Sequence, residues 1–356
     1  HLDDGGEVGA LGAASAQPAA PASHETELRQ RRLAELGCFR GPVDGRESPA
    51  LRRAERDCPP VKPFLRIETG RPVGPIKRVA ADADCRVAAT VSDDKVVRLW
   101  ALPEGRSIAV QRLPIGDNDS GEIAAVAVSP DGRWVAAGGI DVDPARNAIY
   151  VFDVETRRQV RRLGNLRQSI DNLAFSPDGS RLAASGDGVH VFDTASGREV
   201  AVDPDYESRT QGLAWGPDGS LFAAGYDGFV RRYGPDGRRT HKVRSKEGAK
   251  PYDIDVSPDG TRLAVGFADA DTAELLDAGT LQPRGRADTA DLRDDNVSRV
   301  AWRADGRLFA GGDTSAAASR LHTFGRDGRR LDDVPLPVDF VLDMKRCGQG
   351  VIFAAV

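Results

Sequence analysis

Long apolar runs are missing from this chain, and so are most of the residue patterns that concentrate chemistry. The 356 residues include one methionine, four cysteines, four tryptophans and five histidines, and aromatics make up only 6%. No run approaches the roughly 18 apolar residues that a membrane-spanning helix needs. His1, His24, His190, His241 and His322 form no pair at metal-ligand spacing, and there is no Cys-x-x-Cys. A Gly-x-Ser-x-Gly nucleophile elbow and a Gly-x-x-x-x-Gly-Lys phosphate loop are both absent. An excess of positive charge is lacking too: 49 Lys and Arg stand against 54 Asp and Glu, a formal net charge of −5. Nothing in that balance favours nucleic acid as a partner. No catalytic residue, metal or cofactor is expected within this chain.

What the chain does have is a turn that recurs. Ser129-Pro130-Asp131-Gly132 is followed by Ser176-Pro177-Asp178-Gly179, Gly216-Pro217-Asp218-Gly219, Ser257-Pro258-Asp259-Gly260 and a worn Arg303-Ala304-Asp305-Gly306. The aspartates step by 47, 40, 41 and 46 residues, a period that signals stacked supersecondary units. Pro pre-sets φ, Asp bonds back to its own backbone, and Gly accepts the left-handed conformation. Short apolar runs flank each copy, such as Val126-Ala127-Val128 before and Trp134-Val135-Ala136-Ala137 after, which makes each a hairpin. A third strand follows Asp187-Gly188 or Asp227-Gly228. A fourth is marked by Leu99-Trp100, Val151-Phe152-Asp153, Val191-Phe192-Asp193, Arg232-Tyr233 and Leu275-Leu276-Asp277. Four short strands per unit predict a β-propeller blade.

Residues 61–356 resemble the WD-repeat family. Phe152-Asp153 and Phe192-Asp193 stand where that family places Trp-Asp, and Ser92-Asp93-Asp94-Lys95-Val96-Val97-Arg98-Leu99-Trp100 is the fullest single match. The blades lack the family's opening Gly-His, and only Trp100 keeps the tryptophan. The fold class is all-β, a seven-bladed propeller with an incomplete last blade and a small N-terminal α-helical unit. Blades are expected to begin near Ile76, Ile123, Ser169, Arg209, Lys250, Asn296 and Val338. The stretch Phe64 to Val73 reads as an outer strand that closes the last blade, as propeller rings protect their edges. One strand is then unaccounted for, so the chain is expected to be a fragment cut at Val356.

Residues 1–23 read as an Ala/Gly/Pro linker. Residues 24–60 form a separate helical unit, with Ser48 as N-cap and Pro49 opening its second helix. Leu33-Ala34-Glu35-Leu36-Gly37, Gly41-Pro42-Val43-Asp44-Gly45 and Pro49-Ala50-Leu51-Arg52-Arg53-Ala54 resemble part of the peptidoglycan-binding-domain family. So small a unit needs a staple, and Cys38 with Cys58 is the expected disulfide. That bridge would imply a bacterial periplasmic or extracellular location, a cytoplasmic one being the alternative. Cys85 and Cys347 fall near the first turns of neighbouring blades and are read as single thiols, with a second bridge as the alternative. Arg239 to Lys250 reads as a solvated basic connector, and the Asp117–Glu122, Asp141–Asp143 and Asp269–Asp271 groups as solvated loop carboxylates.

The positive expectation is a protein or peptide partner on one propeller face. The residues before each first strand should rim that face: Lys77, Arg78, Asp171, Gln211, Tyr252, Asp253, Arg299 and Phe340. Tyr252 and Arg299 are of the types enriched at interface hot spots. The expected function is a non-enzymatic interaction scaffold of the bacterial cell envelope. The alternatives are a peptidoglycan tether and the regulatory part of a longer enzyme, such as a caspase-like peptidase, whose catalytic domain precedes His1.

Overall fold

A computed structural model describes residues 22–35, 38–57, 75–114, 119, 121–141, 143, 146–290, 296–312, 320–336 and 340–355. The chain divides into two compact units, His1–Phe64 and Leu65–Val356.

In the first unit, α1 (His24–Glu35) and α2 (Pro49–Asp57) are each capped by a serine. The Thr26 amide donates to Ser23 Oγ at 3.1 Å and the Leu51 amide to Ser48 Oγ at 3.0 Å, which satisfies donors that a helix start leaves free. Buried Gln30 clamps the intervening loop. Its Oε1 accepts the Asp44 and Gly45 amides at 2.9 Å, and its Nε2 donates to the Arg46 carbonyl at 2.8 Å. Phe39, Leu51 and Ala54 form a small core beside it. Cys38 is disulfide-bonded; Cys58, its expected partner, lies outside the described residues.

The second unit is all antiparallel sheet. Blade one comprises β1 (Ile76–Ala81), β2 (Val87–Ser92), β3 (Val96–Ala101) and β4 (Arg106–Arg112). Blade two is β5 (Ile123–Val128), β6 (Trp134–Gly139), β7 (Asn147–Asp153) and β8 (Gln159–Leu166). Blade three is β9 (Asn172–Phe175), β10 (Arg181–Ser185), β11 (Val189–Asp193) and β12 (Glu199–Asp203). Blade four is β13 (Thr210–Trp215), β14 (Leu221–Gly225), β15 (Phe229–Tyr233) and β16 (Arg239–Arg244). Blade five is β17 (Pro251–Val256), β18 (Arg262–Phe267), β19 (Glu274–Asp277) and β20 (Pro283–Arg286). Blade six is β21 (Arg299–Trp302), β22 (Leu308–Gly311), β23 (Arg320–Phe324) and β24 (Arg330–Pro335). Then come β25 (Val341–Cys347) and β26 (Gly350–Ala355). Each blade is a sequential meander of four strands.

The expected blade count is corrected from seven to six. Among the described residues β25 and β26 make only a two-stranded sheet, and the stretch expected to add an outer strand, 64–73, lies outside them. A second correction concerns the strand markers. Trp100, Phe152-Asp153 and Phe192-Asp193 lie on the third strand of their blades, not the fourth. Their aspartates close the turn to the outer strand: Asp153 Oδ1 accepts the Thr156 amide and Asp193 Oδ1 the Ser196 amide, both at 2.7 Å.

The core sits between blades. One buried cluster joins blades one and two through Val97, Leu99, Val126 and Phe152, and others follow around the ring. The last brings Cys347, Ile352 and Ala354 of the two-stranded sheet against Val79, Ala88 and Trp100 of blade one. Ala88, Ala89, Ala136, Ala137, Ala183, Ala184, Ala223 and Ala224 on second strands are fully buried. Small side chains there let facing sheets approach closely around the axis.

Candidate functional site at the channel mouth

Five of the innermost strands share an irregularity at the same place. The register with the second strand shifts between Ile76 and Arg78, Ile123 and Ala125, Thr210 and Gly212, Pro251 and Asp253, and Val341 and Asp343. A bulge re-aims side chains and leaves a residue unpaired. Lys77, Gln211 and Tyr252 are the bulged residues of their strands, and Arg78, Asp253 and Asp343 follow directly. The mouth of the channel is built there.

The charges at the mouth are linked. Arg78 Nε donates to the Ala124 carbonyl and its Nη2 to the Asp171 carbonyl, both at 3.2 Å, with Asp343 3.8 Å from Nη1. Burial pulls the Arg78 guanidinium down, but Asp343, Tyr252, Asp253 and Asp171 outweigh it and hold it above its ordinary value. Asp171 takes a two-pronged contact from Arg209, with Nε at 2.9 Å. Burial nevertheless pushes its carboxyl above the usual range. Lys345 stands 3.8 Å from both Asp253 and Asp343. Carboxylates also stitch one inner strand to the next. Asp343 Oδ2 accepts the Val79 amide at 2.9 Å, Asp253 Oδ2 the Val300 amide at 3.2 Å, and Asp255 Oδ2 the Trp302 amide at 2.7 Å.

The eight residues expected at the rim are brought together unevenly. Arg78, Asp171, Gln211, Asp253 and Arg299 are buried, so they make up the wall of the mouth rather than its exposed rim. Bulges turn Arg78, Gln211 and Asp253 inward, whereas Asp171 and Arg299 sit in blades without one and are held by Arg209 and Tyr252. Lys77 and Tyr252 are partly exposed and Phe340 is exposed. Lys77 bridges Asp93 and Glu122. Arg209, Tyr226, Asp343 and Lys345 belong to the same mouth and escaped the sequence reading. Asp343 could have been found, since it follows Phe340-Val341-Leu342 as Asp253 follows Pro251-Tyr252.

At the other end of the inner strands the channel opens into a cavity of about 330 Å³, whose lining includes Phe175, Trp215, Asp255, Lys345 and Arg346. Burial raises the Asp255 carboxyl. Among the described residues no three His, Cys, Asp or Glu side chains gather as a metal site. The basic stretch is corrected as well: Arg239 to Arg244 is the outer strand β16. Arg239 pairs there with Asp203 and Asp205, and Lys242 with Asp205.

Cys85 and Cys347 are not single thiols. They form a disulfide, with Cα atoms 4.9 Å apart and a sequence separation of 262. Cys85 lies in the first turn of blade one and Cys347 ends β25, so the bond clamps the two-stranded sheet to the first blade. Both ends belong to hairpin turns brought side by side by the circular order of blades, a closeness that pairwise spacing cannot reveal.

Residues 111–141 and 158–190 match the WD domain, G-beta repeat. The fold is a propeller, and two of its segments are similar to that repeat. Each matching segment starts in an outer strand and continues into the next blade, the first running from β4 through β6 and the second from β8 into β11. The repeat of the WD-repeat sequence is thus offset by one strand from the blade. Over 115 residues the chain is 29% identical to the U3 snoRNP-associated protein-like YAOH of Oryza sativa subsp. japonica, covering 29% of this chain and 22% of that protein. Over 97 residues it is 34% identical to the guanine nucleotide-binding protein subunit beta of Arabidopsis thaliana, covering 26% and 24%. The chain therefore spans about a quarter of the length of these relatives or less. The solved structure of U3-55K superposes with a TM-score of 0.68 at 18% identity, over 82% of this chain and 90% of that one. At that identity the likeness speaks for the propeller fold alone.

Proposed function

We propose that the propeller is a non-enzymatic platform that recognises a protein partner at the channel mouth. The observation that carries this is the mouth itself: a ring of bulged inner strands presenting Lys77, Tyr252, Arg209 and Phe340 over a fixed wall of buried charges. A rigid scaffold with exposed aromatic and arginine side chains is what interface hot spots require. The curated relatives named for U3 snoRNP suggest a ribonucleoprotein setting, but a net charge of −5 gives no phosphate-binding bias. We therefore favour protein. The Cys85–Cys347 bond supports an oxidising compartment, and we place the protein in a bacterial periplasm or outside the cell.

A photo-crosslinking amino acid at Tyr252 tests the platform, with one at Val202 on the outer strand β12 as control. One protein should crosslink at the mouth and not at Val202, and Phe340→Asp should abolish it. Equal crosslinking at both sites, or none at the mouth, would reject the reading.

The helical unit supports a second role. Its Gly41–Gly45 loop is held by Gln30, so the part resembling peptidoglycan-binding domains keeps a fixed shape that could tether the chain to cell wall. Sedimentation with insoluble peptidoglycan, lost on Gln30→Ala, would support it; no sedimentation would end it.

A further inference from the structure

Among the described residues one cation at the mouth, Arg299, has no counter-ion within 4.0 Å. Arg299 is only 6% exposed, and its one hydrogen bond is from Nη2 to the Tyr252 hydroxyl at 2.9 Å. Its guanidinium lies 4.2 Å over the Tyr252 ring, and among the described residues no carboxylate comes within 4.0 Å of it. None of its nitrogens is among the sealed polar atoms without a partner, so its remaining donors open onto the mouth. Contact with an aromatic face is favourable but does not replace the hydration of a full charge.

The neighbouring carboxylates are already engaged and cannot turn to Arg299. Asp171 is taken by Arg209; Asp253 accepts the Ile254 and Val300 amides; Asp343 accepts the Val79 and Met344 amides. Arg78, Arg209 and Lys345 each have one of these carboxylates within 4.0 Å, and Arg299 does not. Beside Arg299, Tyr226 stacks on Tyr252 with ring centroids 5.8 Å apart. Burial pushes the Tyr226 hydroxyl up to about 12, so it carries its proton at neutral pH and can donate. It has no hydrogen-bond partner among the described residues.

We propose that the mouth binds a side-chain carboxylate from an acidic segment of the protein partner, with Arg299 as counter-ion and the Tyr226 hydroxyl as a second donor. This rests on the mouth being the recognition surface. A planar carboxylate matches the guanidinium fork, and its single charge matches that of Arg299. A phosphate dianion would require a second free cation.

The test uses the full chain and a fluorescein-labelled (Gly-Glu)4 peptide, followed by anisotropy beside its (Gly-Gln)4 counterpart. The glutamate peptide should bind about tenfold tighter than the glutamine peptide, and Arg299→Met should remove that preference. Inorganic phosphate should compete poorly. Equal affinity for the two peptides, no binding of either, strong competition by phosphate, or an unchanged preference in R299M each overturns the proposal. Should R299M lose its native melting transition, Tyr226→Phe decides instead: a threefold or greater loss supports the proposal and no loss rejects it. A mouth that crosslinks its partner but ignores peptide charge would leave the platform standing and remove only the acidic ligand.

Discussion

Cys85 occupies a position that the fold reserves for glycine. In blade one, Asp82-Ala83-Asp84-Cys85 replaces the Ser-Pro-Asp-Gly turn, and the Cys85 amide bonds to the Asp82 carbonyl as Gly132 does to Ser129. Cys85 has φ +58° and Gly132 +72°, a region that costs a residue with a Cβ about 1–2 kcal/mol. The copy was legible: Asp84 precedes Asp131 by the same 47 residues that separate Asp131 from Asp178. The missing proline and glycine hid it. Trp100 is a second residue whose role is defined by one bond, from Nε1 to Thr90 Oγ1 at 2.9 Å, with both side chains buried. Trp100→Phe strands the hydroxyl and Thr90→Val strands the indole, so each should lower stability by about 1–3 kcal/mol in urea melts. The double variant should lose less than the two losses added, because both partners are then apolar. Asp277 gives a pH signature. Arg284 and Thr280 lower its carboxyl to about 2 from an ordinary 3.8. A group depressed on folding contributes above its unfolded value and loses that contribution as pH falls toward its folded one. Stability should therefore drop between about pH 4 and pH 2, and Asp277→Asn should flatten that part of the urea-midpoint curve.

At the scale of elements, the inner hairpins depend on how closely their ends approach. A Cβ on Gly139, at the end of β6, would run into the Glu122 carbonyl and lie 2.8 Å from the Ala124 amide nitrogen. Both obstacles are backbone and cannot turn away. Gly139→Ala should cost about 1–3 kcal/mol, and hydrogen exchange should show it as lost protection along β5 and β6. Strand existence was readable from turn chemistry and alternation; strand rank was less so. Val191-Phe192-Asp193 carries the expected motif, yet which strand of the blade it forms depends on pairing with β10 and β12. The bulges were not readable at all. Nothing in Lys77, Gln211 or Tyr252 signals an unpaired residue, and without the bulge their neighbours would be placed on the rim. This is why Arg78, Gln211 and Asp253, expected at the rim, are buried.

Across the whole molecule, closure is covalent as well as packed. Removing a crosslink that spans 262 residues should cost up to about 5 kcal/mol in the chain-entropy model. Cys85→Ser should therefore melt well below the parent, as should the parent in dithiothreitol. Cys85→Gly should recover about 1 kcal/mol of that loss, because glycine tolerates the left-handed backbone. Equal melting of both variants and the parent would show that the bond adds nothing to the ring. The architecture as a class was plain from the 40–47-residue period. The seam was not, because residues 85 and 347 become neighbours only when the blades return on themselves.

That seam also changes what a protease can do. With residues 85 and 347 covalently joined, a single cut in any surface turn between them, such as the one at Asp236-Gly237, frees no fragment. The cleaved chain would migrate as one piece until a reductant is added, and the nicked protein would keep its blades in order with new ends at the cut.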